Sequence, residues 1–250
     1  MSAMVAERRA PHTRLKRSAS TLHWPRGGYP PLLVGFRIRR PPRKEEGRMS
    51  RRAAPAEIAG VLLAAGMSTR MGRNKLFLEV GGETVLARAL AVALAARLDP
   101  LLVVVGHEAD RVRAALDGTR ARPVENPDYA RGLNTSLRAG IAALPEGTAA
   151  AVVMLADMPL VDAAMIDTLV ARWRAAGAPL AISRYGEVVA PPIVYGAALF
   201  PELRELDGEG CGKAVIKRHR GEEVAVDWPA LRLTDLDVPE DVARAAEAMR

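Results

Sequence analysis

The segment from Gly60 to Lys75 constrains the fold and function of this chain more than any other. It begins within an apolar run, residues 58–64, that is long enough for one buried strand. Gly66 follows this run and allows both a tight turn and the close approach of a ligand to the backbone. Hydroxyl and cationic side chains come next: Ser68, Thr69, Arg70, Arg73 and Lys75. An apolar strand followed by a glycine-containing, cationic loop is typical of a phosphate-binding site.

Two common nucleotide-binding patterns do not fit this segment. A P-loop has two glycines five positions apart and a lysine directly after the second. Here Gly66 and Gly72 are six positions apart, and Lys75 lies three residues after Gly72. The dinucleotide-binding pattern G-x-G-x-x-G is also absent. The segment by itself leaves two interpretations open, a phosphate site of another type or an ordinary loop with solvated charges.

Strand and helix patterns alternate along the rest of the chain. The predicted strands are residues 58–64, 101–105, 122–124, 149–155, 180–183, 192–195, 223–226 and 231–233. The predicted helices are residues 84–97, 108–116, 134–144, 162–176, 197–206, 211–220 and 239–249. This alternation predicts an α/β fold whose mostly parallel sheet is covered by helices on both faces. Such sheets bind ligands beyond the carboxyl ends of their strands, where Gly66, His107 and Asp157 fall.

The net charge of +7 comes from the start of the chain. Residues 1–52 contain 14 Lys and Arg against 3 Asp and Glu, which leaves 22 basic and 26 acidic residues in the remainder. We expect a disordered, basic, proline-rich leader over residues 1–52 and a single domain over residues 53–250. Met49 directly precedes the compact α/β pattern and is a second candidate for the translation start. A basic arm that binds an acidic partner is the functional alternative for the leader.

Charge, cysteine content and hydropathy limit the compartment and the classes of partner that we expect for this chain. The domain after the leader is mildly acidic, so we expect no nucleic-acid partner. Cys211 is the single cysteine, which excludes an intramolecular disulfide and predicts a reducing, cytoplasmic compartment. We interpret it as a packed small residue rather than a nucleophile. No apolar run reaches the length of a membrane span, so we expect no membrane partner.

Carboxylates in two places suit a divalent cation. Asp157 directly follows the buried strand 149–155 and precedes a turn constrained by Pro159, an arrangement that offers a carboxylate oxygen to a hard cation. Residues 235–241 contain four further acidic residues. The alternative interpretation is that Asp157 only stabilises a turn and that the later acids favour the start of the last helix. Together with the cationic loop, these groups are suited to hold Mg²⁺ and a triphosphate.

A further loop, residues 125–133, precedes the predicted helix 134–144. Either Asn134 or Thr135 is a suitable residue to cap this helix. The free backbone N–H groups at the helix start are suited to an anion, and the Asn126 amide is suited to a base or a ribose.

Four ordered motifs resemble those of the molybdenum cofactor cytidylyltransferase family. This family lies in the nucleotidyltransferase superfamily that also contains the guanylyl-transferring molybdenum cofactor enzymes. The first motif is Leu63-Ala64-Ala65-Gly66-x-Ser68-x-Arg70-Met71-Gly72-x-x-Lys75. The others are Asn126-Pro127 with Ser136-Leu137, Asp157-Met158-Pro159, and Asp235-Leu236-Asp237-x-Pro239-Glu240-Asp241. The resemblance covers residues 58–245 and implies a Rossmann-like, three-layer α/β/α sandwich of the nucleotide-diphospho-sugar transferase type, with a mostly parallel mixed sheet.

The resemblance also implies an activity and a set of site residues. The implied reaction transfers CMP from Mg-CTP to the terminal phosphate of molybdopterin and releases pyrophosphate, during maturation of a molybdenum hydroxylase. The implied nucleotide-binding residues are Leu63, Ala64, Ala65, Gly66, Ser68, Lys75, Asn126 and Ser136. Arg70, Lys75 and Asp157 are implied to be catalytic, with Arg70 and Lys75 on the triphosphate. Asp157 and Asp237 are implied to bind Mg²⁺. Guanylyl-transferring relatives usually have Gly at the position of Ala65, which favours CTP.

The segments expected to face the acceptor depart from the family pattern. Gly186-Glu187-Val188-Val189-Ala190-Pro191-Pro192 stands in place of the usual Gly-x-x-Gly-x-Pro, and Gly208-Glu209-Gly210-Cys211-Gly212-Lys213 in place of Gly-Asp-x-Gly-Ala-Arg. Two alternatives therefore remain open. One is transfer to another phosphorylated acceptor, such as a sugar or polyol phosphate. The other is a non-catalytic protein that carries the cofactor to an apo-hydroxylase, although a carrier has no need of Lys75 and Asp157.

Overall fold

The structure is a computed structural model that describes residues 57–68, 74–234 and 241. These described residues belong to one compact unit. The predicted leader, the predicted closing helix apart from Asp241, and the site residues Arg70 and Asp237 lie outside the described residues. All strands and helices given for this chain lie within these described residues.

A seven-stranded sheet forms the centre of the fold. The strands along the chain are β1 (Ile58–Ala64), β2 (Glu79–Val80), β3 (Glu83–Thr84), β4 (Leu101–Val105), β5 (Arg122–Glu125), β6 (Ala150–Leu155), β7 (Leu180–Tyr185), β8 (Val188–Gly196) and β9 (Val224–Trp228). The main sheet has the order β5-β4-β1-β6-β8-β7-β9, and β2 and β3 form a separate hairpin. Within the main sheet of the described residues, only β8 runs antiparallel to its neighbours. The prediction of a mostly parallel, mixed sheet is confirmed.

Helices cover both faces of this sheet. They are α1 (Val85–Ala95), α2 (Ala109–Leu116), α3 (Leu133–Ala142), α4 (Ala163–Ala176), α5 (Phe200–Arg204) and α6 (Lys213–Arg218). Buried residues of α1, α2 and α4 join one hydrophobic core, and those of α3, α5 and α6 join the other. None of the helices in the described residues is long and apolar enough to cross a membrane. The predicted three-layer α/β/α architecture is confirmed.

Alternation along β1 explains why the sheet has two cores. Ile58, Leu62 and Ala64 pack into the core beneath α1, whereas Val61 and Leu63 pack into the core beneath α3. A strand that is buried on both faces reads as a continuous apolar run, because neither face is left to polar residues. For this reason the run 58–64 could be recognised in the sequence as a buried strand.

The order of the strands creates a crevice at the carboxyl ends of β1 and β6. The chain moves from β1 to β4 and β5 on one side, then returns through α3 to place β6 on the other side of β1. Such a reversal is a topological switch point, where open α/β sheets bind their ligands. The residues that follow β1 and β6, including Gly66 and Asp157, therefore share one edge of the sheet.

The elements after residue 177 differ most from the sequence-based predictions. The predicted strand 231–233 is wrong, because Ala230–Arg232 forms a 3-10 turn. The Arg232 guanidinium donates to the Leu160 carbonyl at 2.8 Å and to the Asp162 carboxylate at 2.9 Å, which holds this segment beside the start of α4. The predicted helix 197–206 splits into a 3-10 turn, Ala197–Leu199, followed by α5. Periodicity alone cannot separate these short apolar elements.

Gly140 allows α3 to lie close against the sheet, and its replacement gives a test of this packing. A Cβ atom at this position would lie 2.4 Å from Val61 Cγ1 and 3.1 Å from Val104 Cγ2. We expect Gly140→Val to lower the free energy of unfolding by about 1–3 kcal/mol, the usual cost of overpacking a core, as measured by urea denaturation. Ala142→Val introduces the same side chain at an exposed position of α3, and we expect a loss of about 0.5 kcal/mol. Equal losses in the two variants would contradict the close packing of α3.

Candidate functional site

The loop after β1 changes from buried to exposed within two residues. Leu63, Ala64 and Ala65 are buried, and Gly66 and Met67 are exposed. The Leu63 carbonyl accepts a hydrogen bond from the Ala156 N–H, and the Ala65 carbonyl accepts one from the His107 N–H. The side chains of Leu63 and Ala64 lie in the two hydrophobic cores. A ligand at this edge therefore meets the chain from Ala65 onwards.

Ser68 connects the start of the loop to Lys75. Its hydroxyl accepts a hydrogen bond at 3.0 Å from the backbone N–H of Lys75, which lies seven positions further along the chain. Ser68 itself has a φ of +52°, a left-handed conformation that is uncommon outside glycine. On the other side, the Asn74 side chain accepts from the Leu76 N–H at 3.1 Å and caps a 3-10 turn, Lys75–Phe77. Lys75 is thus held in place from both directions.

The Lys75 ammonium forms an ion pair with Asp157 across the crevice. Lys75 Nζ lies 2.5 Å from Asp157 Oδ2, and the two side chains are 14% and 21% exposed. Limited exposure strengthens such a pair, because water screens the two charges less. Asp157 follows β6 directly, and the Arg88 side chain donates to the Pro159 carbonyl at 2.7 Å and fixes the turn behind it. The structure therefore brings together two of the three predicted catalytic residues.

Asn126 has an internal role in the structure. Its side-chain N–H₂ group donates to Thr135 Oγ1 and to Ser136 Oγ, both at 2.9 Å, and its side-chain oxygen accepts from the Asp128 N–H at 3.0 Å. The residue is buried. These contacts hold the 125–133 loop on the first turn of α3. The predicted contact of Asn126 with a base or ribose stays a prediction, and in this structure Asn126 lies behind Ser136.

The start of α3 differs from the prediction in its cap. The helix begins at Leu133 and its N-cap residue is Gly132, which has a φ of +120°. A Cβ atom at Gly132 would lie 2.5 Å from the carbonyl of Gly208. Neither Asn134 nor Thr135 caps the helix. The Asn134 side chain instead forms hydrogen bonds to the 207–212 segment, which lies 73–78 residues further along the chain and packs against this end of α3. A contact at that sequence separation leaves no local signal.

Two cavities that share Leu133 and Glu209 lie near the Lys75–Asp157 pair, since Ser68, which holds the Lys75 backbone, lines one and Cys211, whose pKa the Asp157 charge raises, lines the other. The first, which we call the loop cavity, has a volume of about 180 Å³. It is lined by Ala65, Gly66, Met67, Ser68, Tyr129, Ala130, Gly132, Leu133, Ser136 and Glu209. Four of the predicted nucleotide-binding residues, Ala65, Gly66, Ser68 and Ser136, therefore share one cavity. Tyr129 was not predicted, and Gly106 makes room for it, since a Cβ atom on Gly106 would lie 2.7 Å from Tyr129 Cβ.

The second cavity, which we call the strand cavity, has a volume of about 420 Å³. One wall is β8, with Val188, Val189, Pro191 and Ile193, and the other is the 209–216 segment. Ser183 and Tyr185 donate their hydroxyl hydrogens to the carbonyls of Pro192 and Pro191, at 2.7 and 2.9 Å, and hold the β8 wall in position. The two segments that depart from the family pattern both contribute residues to this cavity, and that they face the acceptor stays a prediction.

Cys211 lies in the wall of the strand cavity. Burial raises the pKa of its thiol to about 12, and the negative charge of Asp157 acts in the same direction. A thiol with such a pKa carries almost no thiolate at neutral pH and is a poor nucleophile. The interpretation of Cys211 as a packed small residue agrees with this environment.

The donor set suits a cation that also binds substrate phosphates. Among the described residues no group of three or more His, Cys, Asp or Glu side chains could hold a metal ion by itself. Mg²⁺ is usually held by one or two carboxylates together with substrate phosphates and water. Asp157, partly exposed at the end of β6 and already paired with a positive charge, fits the first of these ligands. The predicted second ligand, Asp237, lies outside the described residues.

Comparison with known proteins decides the family. Residues 60–224 match the MobA-like NTP transferase domain. The chain belongs to the MobA-like NTP transferase family. The chain is therefore a nucleotidyltransferase. This activity agrees with the loop cavity, which lies at the switch point of the sheet where a ligand is expected.

Three relatives show how similar this chain is to known proteins. PucB, a purine catabolism protein of Bacillus subtilis (strain 168), is 31% identical over 202 residues that cover 77% of this chain and 97% of PucB. Rv0371c of Mycobacterium tuberculosis H37Rv, in complex with manganese, is 31% identical with a TM-score of 0.61, over 78% of this chain and 100% of that chain. Mth528, a nucleotidyl transferase from Methanothermobacter thermautotroptrophicus, is 25% identical with a TM-score of 0.67, over 77% and 97%.

Asn134 is a structural residue of the site that the sequence analysis did not identify as such. Its side-chain N–H₂ group donates to the carbonyls of Asp207 and Glu209, at 2.9 and 2.6 Å, and its side-chain oxygen accepts from the Gly212 N–H at 2.9 Å. The residue is 5% exposed. The amide therefore fixes the 207–212 segment, which forms part of the wall of both cavities.

Asn134→Ala tests this role. We expect the free energy of unfolding to fall by about 2–3 kcal/mol, as measured by urea denaturation, because the substitution leaves the buried Gly212 N–H and two partly buried carbonyls without partners. Glu205→Ala, at an exposed position just before the same segment, is the control and should change stability by less than about 0.5 kcal/mol. A urea unfolding transition of Asn134→Ala that coincides with that of the wild type would contradict the assignment.

Proposed function

We propose that this MobA-like transferase moves CMP from Mg-CTP to the terminal phosphate of molybdopterin and releases pyrophosphate, in the maturation of a molybdenum hydroxylase. The observation that carries the proposal is the Lys75–Asp157 pair beside the two cavities. Ser68, which holds the Lys75 backbone, lines the loop cavity, and Cys211, whose pKa the Asp157 charge raises, lines the strand cavity. One cavity then takes the nucleotide and the other takes the acceptor. The family match and the resemblance of four ordered motifs support this division.

The loop cavity is the proposed nucleotide site. Gly66 and Ser68 expose backbone and hydroxyl groups there, and Ser136 presents a hydroxyl from the first turn of α3. Lys75 and Arg70 are proposed to hold the triphosphate, as the motif implies. Ala65, where guanylyl-transferring relatives usually have Gly, supports CTP rather than GTP. Asn126 contributes indirectly in this scheme, because its amide positions Ser136.

The proposed reaction needs no general base. A phosphate monoester has a second pKa near 6 and is largely dianionic at neutral pH. Its oxygen attacks the α-phosphorus of CTP, and the bond from that phosphorus to the oxygen that bridges to the β-phosphate breaks. The electron pair of the broken bond leaves with pyrophosphate. The protein therefore has to align two anions and to balance their charge.

Lys75 and Asp157 supply this charge balance from fixed positions. The Lys75 backbone is held by Ser68, so its ammonium can exchange the Asp157 carboxylate for a phosphate oxygen without movement of the chain. Asp157, and Asp237 beside it in the proposal, would hold Mg²⁺, which when bound neutralises phosphate charge and orients the triphosphate. Manganese in a relative that is 31% identical supports a divalent cation in this family.

Pyrophosphate release tests the proposal directly. The full chain is incubated with Mg²⁺, molybdopterin and each of the four common nucleoside triphosphates in turn. We expect release with CTP, weaker release with GTP, and none without the acceptor. Pyrophosphate release with a sugar or polyol phosphate, and none with molybdopterin, would contradict the proposed acceptor and favour the alternative one. The absence of release with every nucleotide and acceptor would contradict a catalytic role.

Lys75→Ala tests the assignment of the phosphate loop. Negative charge grows on the leaving pyrophosphate as the bond breaks, so the lost ammonium should weaken the transition state more than the ground state. We expect a loss on the order of 3 kcal/mol, or roughly a hundredfold in kcat, and weaker CTP binding. Quenched time-course assays of CMP transfer measure the fall in kcat, and equilibrium titration with CTP measures the weaker binding.

Lys75→Arg and the choice of base provide the controls for that variant. Lys75→Arg should recover the rate only in part, because a planar guanidinium does not reproduce a compact ammonium. The preference for CTP over GTP should survive in both variants, since the base is proposed to be selected near Ala65. A Lys75→Ala variant with an undiminished rate and a changed base preference would contradict the phosphate assignment.

A further inference from the structure

Glu209 lies at the boundary between the two cavities of the site. Its side chain lines both the loop cavity and the strand cavity, a position that among the described residues it shares only with Leu133. Its backbone is fixed, because the Glu209 carbonyl accepts from the Asn134 amide at 2.6 Å. The carboxylate itself is solvent-exposed and accepts the Leu133 N–H at 3.4 Å. A fixed backbone with an exposed, loosely held carboxylate is well suited to bind a ligand group.

The strand cavity offers few other polar groups to an acceptor. Within the part of the chain that the structure describes, its lining is apolar apart from Glu209, Gly210 and Lys213. The walls consist of branched aliphatic and proline side chains such as Val188, Pro191 and Ile216. Hydroxyl groups of a sugar phosphate would lose water here and find few partners, which is costly. A flat, weakly solvated ring system fits these walls better.

The charge of Glu209 has to be compensated when both substrates are bound. The described residues form no ion pair with it, in contrast to its neighbour Asp207, which pairs with Arg131 at 2.5 Å. Two substrates that both carry phosphates would lie on either side of this carboxylate. Repulsion is avoided if the acceptor presents N–H groups to it, because hydrogen bonds to a carboxylate are about twice as strong as neutral ones.

We propose that Glu209 is a specificity-determining residue for the acceptor. Its carboxylate accepts two hydrogen bonds from the amino-amide edge of a flat, fused nitrogen heterocycle, while the faces of that ring pack between β8 and Ile216. A pterin ring, with a 2-amino group beside a ring N–H, has this edge. The assignment rests on the proposed function, in which the strand cavity holds the acceptor. In this assignment the amino-amide edge is the feature of the acceptor that the chain recognises.

Binding of two unphosphorylated ring probes tests this assignment without turnover. Pterin carries the 2-amino group, and lumazine has a carbonyl oxygen in its place that would repel a carboxylate. We expect the full wild-type chain, saturated with CTP and Mg²⁺, to bind pterin at least tenfold more tightly than lumazine, as measured by pterin and lumazine fluorescence. Glu209→Gln should reduce this preference to less than about threefold, because an amide presents only one acceptor oxygen. An unchanged preference, or no pterin binding at millimolar concentration, would overturn the assignment.

Kinetics with the complete acceptor provide the second test. For Glu209→Gln we expect the KM for molybdopterin to rise about 10- to 100-fold, which corresponds to the loss of a hydrogen bond to a charged group. The KM for CTP and the kcat at saturation should stay within about threefold of wild type. Glu205→Gln, exposed and outside both cavities, is the matched control and should behave as wild type.

The direction of the change separates recognition from simple repulsion. If Glu209 only repelled the acceptor, Glu209→Gln would lower the KM for molybdopterin, and the assignment would be overturned. A rise in the KM for CTP instead would assign Glu209 to the nucleotide and would also overturn it. If the wild-type chain discriminates between the two ring probes but releases no pyrophosphate, the proposed function fails and the role of Glu209 stands.

Discussion

The ion pair between Lys75 and Asp157 is the interaction on which the rest of the site depends. It joins the loop after β1 to the turn after β6, two strands that pair in parallel with Leu63 opposite Leu155. This register places Ala65 and Asp157 at the same height, so a short loop is enough to bring a cation and a carboxylate together. In the proposed reaction both groups have a use when the pair opens. Lys75 would bind phosphate oxygens, and Asp157 would be available to a divalent cation.

Close backbone packing creates the two cavities around this pair. Gly106, Gly132 and Gly140 each lie where a Cβ atom would meet a neighbouring group within 3 Å. They allow the 125–133 loop and α3 to approach the sheet and the 207–212 segment. Asn134 then fixes that segment with three hydrogen bonds from a buried side chain. The walls of the site are therefore held by the scaffold and not by the ligand, as preorganised binding requires.

The sequence predicted the parts of the site that depend on one strand and its loop. The run 58–64, Gly66, Lys75 and Asp157 could be placed at one sheet edge because strand periodicity and parallel topology are local or nearly local properties. The role of Asn134 and the boundary position of Glu209 could not be predicted, since both depend on contacts between residues 73–78 apart in the chain. The internal hydrogen bonds of Asn126 were missed for a related reason. A motif shows that an amide is present, but only the fold shows which groups surround it.

Binding of Mn²⁺ tests the central claim, that the carboxylate of Asp157 and the nucleotide together form a cation site. The full chain is titrated with Mn²⁺ in the presence and absence of CTP, and free Mn²⁺ is followed by electron paramagnetic resonance. We expect tight binding that requires CTP and that weakens at least tenfold, about 1.4 kcal/mol, in Asp157→Ala. Asp167→Ala, at an exposed position of α4, should bind as wild type. Equal CTP-dependent affinity in wild type and in a folded Asp157→Ala variant would contradict the account.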